Sequence, residues 1–212
     1  MTVSKTLVIN LFAGPGAGKT TCAWAIASKL KMLHINTEYV SEYAKELVWD
    51  EKLEELKDQM KVSTVQHNRL KRLYDKVDVI VTDSPVLLGL YYGEDKLSEK
   101  QRATISSWHK EVESFNLFIK RGNYYEQVGR LEDKQTAEEI DANIRRILFN
   151  EKVYYGEYNQ NRLDTITNNI MTTLRRLNPE CVKNALDSLQ QKEYYSDIKA
   201  KGASRSIGEE LV

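Results

Sequence analysis

The run AGPGAGKTT, Ala13 to Thr21, constrains what this chain can fold into more than any other stretch. It follows a short apolar segment, Leu7 to Phe12, and precedes a helical pattern, so a strand must feed a glycine-rich loop and the loop must open a helix. The spacing is that of a Walker A loop, A/G-x-x-x-x-G-K-S/T, with Ala13 where glycine is commoner, then Gly18, Lys19 and Thr20. Gly14, Gly16 and Gly18 allow the backbone N–H groups to curl around phosphate oxygens. The positive end of the helix adds to that attraction. Lys19 supplies a mobile charge for the β- and γ-phosphates, and the Thr20 hydroxyl is suited to ligate Mg²⁺. The expected phosphate-binding set is Gly14, Pro15, Gly16, Ala17, Gly18, Lys19, Thr20 and Thr21. The competing reading, a strand-to-helix turn with a chance lysine, does not explain why strand, loop, GKT and helix occur in this order.

A chain of 212 residues can bury a sizeable core, and one domain with a small appendage is the natural count. Lysine plus arginine and aspartate plus glutamate both number 31, so overall charge argues neither for nor against nucleic acid. The two cysteines, Cys22 and Cys181, lack C-x-x-C spacing and fit a reduced, intracellular protein. No apolar segment approaches the ~20 residues of a membrane span. A soluble, cytoplasmic protein is expected, in the host cytoplasm if the chain is phage-encoded.

Apolar runs alternate with helical patterns, the signature of a doubly wound α/β parallel sheet with helices on both faces. Strands are predicted at Leu7 to Phe12, Leu33 to Val40, Val77 to Thr82, Phe115 to Ile119 and Val153 to Tyr158. Helices are predicted near 19–31, 41–49, 60–75, 98–113 and 136–149, then at 164–177 and 180–194 around the breaker Asn178-Pro179. Thr136 followed by Glu139 reads as a capping box, with Ile140, Ile144, Ile147 and Leu148 tracing one apolar face. The polar stretch Lys120 to Gln135 lacks apolar periodicity and is expected to be a lid loop. These elements divide the chain into a P-loop domain over 1–160 with its lid at 120–135, a helical extension over 161–198, and a flexible tail over 199–212.

Several side chains are candidates for chemistry. The run VDVIVTDSP resembles a Walker B strand that delivers Asp83 beside the phosphate loop to hold Mg²⁺ or position a substrate group. The alternative is a strand-end Asp that caps the next helix. Ser84 stands where motor-type ATPases commonly carry a Glu, which shifts weight from hydrolysis to transfer. The second strand runs into SEYAKEL and puts Glu42 at the carboxyl edge of the sheet, where it could accept the proton of an attacking hydroxyl. Ser41 as N-cap with Glu42 in the first turn is the bland reading, and Glu38 competes for the role of base. Gln66 and Arg69 share a helix face and either read a base edge or phosphate or belong to a solvated basic face with Lys71, Arg72 and Lys76. Arg121 and Arg130 in the lid stretch are candidates to close over developing charge. His34, His67 and His109 are scattered, so a zinc site is not expected. Trp24, Trp49 and Trp108 lie on helical patterns and read as packing residues.

With these residues in place, the chain resembles the phage-type P-loop (NadR-like) nucleoside and nucleotide kinase family. It is similar to ribosylnicotinamide kinase domains and to phage kinases that act on 5-hydroxymethyluracil in DNA. The resemblance covers residues 5 to 160 and rests on LFAGPGAGKTT, TEYVSEYAKEL, VDVIVTDSP, and FIKRGNYYEQVGR with the following EEIDANIRRIL. It implies a central P-loop strand, an ATP·Mg²⁺ donor site, and an acceptor held between the 41–75 helices and the lid. It further implies that Lys19 and Thr20 bind phosphates and metal, that Asp83 serves metal or acceptor, that Glu42 is the base, and that Arg121 and Arg130 are lid arginines. The acceptor expected is a nucleoside-like small molecule or a modified DNA base, with no membrane partner. Two other functions compete: an ATPase or nucleotide-dependent switch without an acceptor, and a nucleotide-binding module without turnover.

Overall fold

The computed structural model describes residues 4–122, 134–159 and 162–190. A five-stranded, wholly parallel sheet has the order β2-β3-β1-β4-β5. Its strands are β1 (Leu7–Phe12), β2 (Thr37–Val40), β3 (Val79–Thr82), β4 (Glu113–Ile119) and β5 (Gly156–Tyr158). The strand that enters the phosphate loop is therefore central. Every residue of β1 is buried, as expected of a strand with helices over both faces.

Alternation along the strands divides the core. Val8 and Ile80 pack with Leu70 of α4 (Gln59–Lys71) and Trp108 of α6 (Glu99–His109). Leu7, Ile9, Val79 and Val81 instead join Ile26 and Leu30 of α1 (Lys19–Met32). The smaller helices α2 (Tyr43–Trp49), α3 (Leu53–Leu56) and α5 (Leu88–Tyr92) occupy the connections after β2 and β3.

Two expected boundaries shift for identifiable reasons. β2 starts at Thr37 rather than Leu33, because Leu33 caps the end of α1 and His34 adopts φ 61° to turn the chain. α7 (Lys134–Asn150) starts two residues before Thr136, the residue expected to cap it. A capping box does open α6, where the Ser98 N–H donates to Gln101 Oε1 (2.8 Å) and the Gln101 N–H donates to Ser98 Oγ (3.3 Å).

The chain after residue 160 continues the same core. On α8 (Leu163–Leu177), Ile166, Thr167, Ile170 and Leu174 are buried, and the helix packs along α1. Residues 179–190 are also helical and add Cys181, Val182 and Ala185 to that cluster. Ile170 is fully buried there. Ile170→Ala is expected to cost about 2–4 kcal/mol in denaturant unfolding. A loss under about 1 kcal/mol, the size of many surface changes, would remove α8 from the core.

Candidate functional site

The phosphate loop owes its shape to two residues with positive φ, Gly16 (78°) and Gly18 (85°). Gly18 is the N-cap of α1 and contributes no side-chain cap, and the first turn holds no acid. The helix thus offers its leading N–H groups to an external anion. Lys19 Nζ donates to the Gly14 carbonyl at 3.0 Å, so the ammonium folds back over its own loop. Burial lowers the Lys19 pKa, while the carboxylates of Glu42, Asp83 and Asp141 oppose that shift.

Asp83 directly follows β3 and is almost wholly buried. The Thr20 hydroxyl donates to Asp83 Oδ2 at 2.5 Å, and Oδ1 is buried without a hydrogen-bond partner. The strand end is fixed by Thr82, whose Oγ1 donates to the Val40 carbonyl (3.0 Å) and accepts from the Ser84 N–H (3.1 Å). Asp83 does not cap the next helix, since α5 starts at Leu88 with Leu87 as its N-cap. A hydroxyl against a carboxylate with one orphaned oxygen fits Mg²⁺, which takes hard oxygen donors, one or two carboxylates and substrate phosphates. Among the described residues no group of three or more His, Cys, Asp or Glu could hold a metal by itself. The Tyr39 phenol on β2 faces the same carboxylate; burial first, then the Asp83 charge, pushes its pKa up. Its ring lies edge-on to Trp24 at 6.2 Å.

Glu42 itself is the N-cap of α2, with an extended backbone and no side-chain cap bond. Its carboxylate is within electrostatic reach of the loop: burial raises its pKa, Lys19 opposes the rise, and Asp83 adds to it. Gln66 brackets this residue from α4, accepting from the Tyr43 N–H (3.0 Å) and donating to the Ser41 carbonyl (3.2 Å). Arg69 forks onto Glu46 at 2.6 and 2.5 Å and lies 4.8 Å over the Tyr43 ring. Gln66 and Arg69 therefore share a face as expected, and their polar groups hold the β2–α2 turn. Glu38, the competing base, pairs with Lys31 at the far end of α1 (3.1 Å).

Arg121 packs beneath the loop rather than over it. Its Nε donates to Asp141 Oδ2 (2.6 Å), Nη1 to the Pro15 carbonyl (2.5 Å) and Nη2 to the Ala137 carbonyl (2.9 Å). Arg130 and most of the expected lid lie outside the described residues. The tryptophans divide against expectation: Trp108 packs on His67 (4.5 Å between rings), whereas Trp24 and Trp49 are 60% and 76% exposed. Trp24 borders β2, an edge strand, and among the described residues no strand lies beyond it.

Sequence reasoning missed Tyr39 and Asp141. Asp141 carried a legible signal, since it interrupts the apolar stripe Ala137, Ile140, Ile144 and Leu148 of α7. A charge on such a stripe is rarely buried unless paired.

Comparison with known proteins agrees with this geometry. A family model described as an AAA domain, AAA_28, matches residues 8–162, which include the loop, Glu42, Asp83 and Arg121. No curated protein matches the sequence. Solved structures with the same fold include deoxyadenosine kinase from M. mycoides with dCMP and a flexible dCDP bound. That match has 18% identity and a TM-score of 0.50, and covers 80% of this chain and 99% of the other. NadR protein in complex with NR matches at 15% identity and a TM-score of 0.50, over 72% of this chain and 45% of the other. With the loop strand central and the carboxyl ends of β1, β2 and β3 gathered around it, the chain belongs to the AAA_28 family of AAA domains and has the fold of a P-loop nucleoside kinase.

Proposed function

We propose that this protein is an ATP-dependent kinase that transfers the γ-phosphoryl group to a hydroxyl of a nucleoside-like acceptor. One observation carries the reading: at a Walker A loop, Lys19 folds over the Gly14 carbonyl and Thr20 is bonded to Asp83, with the Glu42 carboxylate within electrostatic reach of Lys19. A hydrolytic site needs only water, whereas Glu42 at the end of an edge strand suits a hydroxyl brought in from outside the sheet.

The leading N–H groups of α1 and the Lys19 ammonium bind the polyphosphate and stabilise charge that develops on the transferred group. Thr20 and Asp83 would hold Mg²⁺, which supplies charge neutralisation on the phosphates. Glu42 accepts the proton of the acceptor hydroxyl as its oxygen bonds to the γ-phosphorus. The bond from that phosphorus to the β–γ bridging oxygen breaks, and ADP leaves. Gln66 keeps the Glu42 backbone in place through the residues on either side of it.

The acceptor class is narrowed by what the chain resembles: a free nucleoside or nucleotide, or the finer alternative of 5-hydroxymethyluracil within phage DNA. No helix among the described residues is long and apolar enough to cross a membrane. The test is incubation with γ-labelled ATP and Mg²⁺ against nucleosides, nucleotides, and plain or hydroxymethyluracil-containing DNA. Label is expected on one acceptor class. Label found only in inorganic phosphate, at a rate no acceptor changes, would make the protein an ATPase.

A further inference from the structure

Two P-loop backbone groups are held by side chains from outside the loop. The Gly14 N–H donates to Asp141 Oδ1 at 2.5 Å, and the Pro15 carbonyl accepts from Arg121 Nη1 at 2.5 Å. Pro15 has no N–H to offer. The first half of the loop is therefore gripped from behind by one carboxylate and one guanidinium. Those two groups are bonded to each other (2.6 Å) and are only 9% and 11% exposed at their side chains. The fit is close: a Cβ on Gly14 would fall 2.8 Å from Arg121 Nη2 and 2.9 Å from the Ala137 carbonyl.

We infer that Arg121 and Asp141 are a positioning pair that sets the backbone of the phosphate loop before nucleotide arrives, and that Arg121 does not contact the transferred phosphoryl group. The loop is then divided by task. Gly14 and Pro15 form its anchored frame, and phosphate recognition falls to the N–H groups from Gly16 onward. An unanchored loop would have to be ordered by the nucleotide itself, and that ordering would be subtracted from binding. Burying a charged pair is costly unless its remaining donors and acceptors are satisfied. Here Asp141 uses both oxygens, and Arg121 uses its Nε and both terminal nitrogens. Such an arrangement specifies one geometry. A phosphate-directed finger would leave its terminal nitrogens free of backbone carbonyls.

The inference rests on the loop being a phosphate site and is independent of any acceptor. The test compares wild type with Asp141→Asn, which keeps size but sets an amide against Arg121, and with Arg121→Lys, which keeps charge but loses the fork. Far-UV circular dichroism establishes folding, titration calorimetry follows ATP and inorganic tripolyphosphate, and the Gly14 amide proton is followed by NMR. In the free wild-type protein the Gly14 proton is expected far downfield, from its bond to a carboxylate, and Asp141→Asn should move it upfield. Affinity for ATP and for tripolyphosphate should weaken about tenfold in both variants, the usual effect of losing an outer partner of a binding group. In turnover, the KM for ATP should rise while kcat at saturating ATP stays near wild type. Should Asp141→Asn not fold, Arg121→Lys decides by the same titrations. Folded variants that bind both ligands like wild type overturn the proposal. A kcat collapse with unchanged ATP affinity in Arg121→Lys also overturns it, by making Arg121 a transition-state contact. Wild type that binds neither ligand overturns both this proposal and the phosphate-site reading beneath it.

Discussion

Glu42→Gln is expected to lower kcat by about 10²–10⁴-fold, the range for removing a general base, while ATP binds as in wild type. The substitution keeps the shape of a side chain whose backbone is clamped by Gln66, so the change is confined to proton acceptance. Burial holds the Glu42 pKa above its ordinary value of 4.5, with Lys19 restraining the rise. The acidic limb of the wild-type kcat profile should therefore lie above pH 4.5 and vanish in the variant. Stability should move the other way. A carboxyl whose folded pKa exceeds its unfolded one makes the folded state bind more protons, so its contribution is lost as pH rises through the folded value. At neutral pH the charged Glu42 is a cost, and Glu42→Gln should melt at a higher temperature than wild type. Turnover near wild type would remove Glu42 from the mechanism; an unchanged or lower melting temperature at neutral pH would contradict its burial as a charged group.

Lys19→Ala should lower kcat by about 10²–10³-fold, the typical loss for one preorganised charge-stabilising donor. It should also weaken ATP binding, because the ammonium supplies point charge that backbone N–H groups do not. The same change leaves the carboxylates of Glu42, Asp83 and Asp141 without the cation they share. Since Lys19 is the main group opposing the rise of the Glu42 pKa, ahead of Lys45, any residual activity should show its acidic limb displaced to higher pH. Steady-state rates across pH, with ATP titration by calorimetry, check both parts. Residual activity with an unmoved acidic limb would break the proposed coupling between Lys19 and Glu42.

The phosphate-loop half of the candidate site was legible because its geometry is local. Strand, loop and helix from Leu7 to Met32 are contiguous, and glycines at the two positive-φ positions announce the turn. Asp83 was legible for a similar reason, as a carboxylate at the end of an apolar run. The partnerships of Gln66, Arg69 and Arg121 were not, because each is decided by a residue of another element, distant in sequence. Arg121 reads as a free loop cation until Asp141, 20 residues on, is seen against Gly14. The four-residue α3 and five-residue α5 escaped notice because so few residues carry no usable period.

The packing of α8 along α1 bears on how the chain is made. Domains form as the chain emerges from its amino end. Glu42, Asp83 and Arg121 are all synthesised before Ile166, Ile170 and Leu174, the residues that complete the cover of the helix bearing Lys19 and Thr20. A ribosome paused near residue 160 thus holds a nascent chain with its described phosphate-site residues present and a strip of α1 still wet.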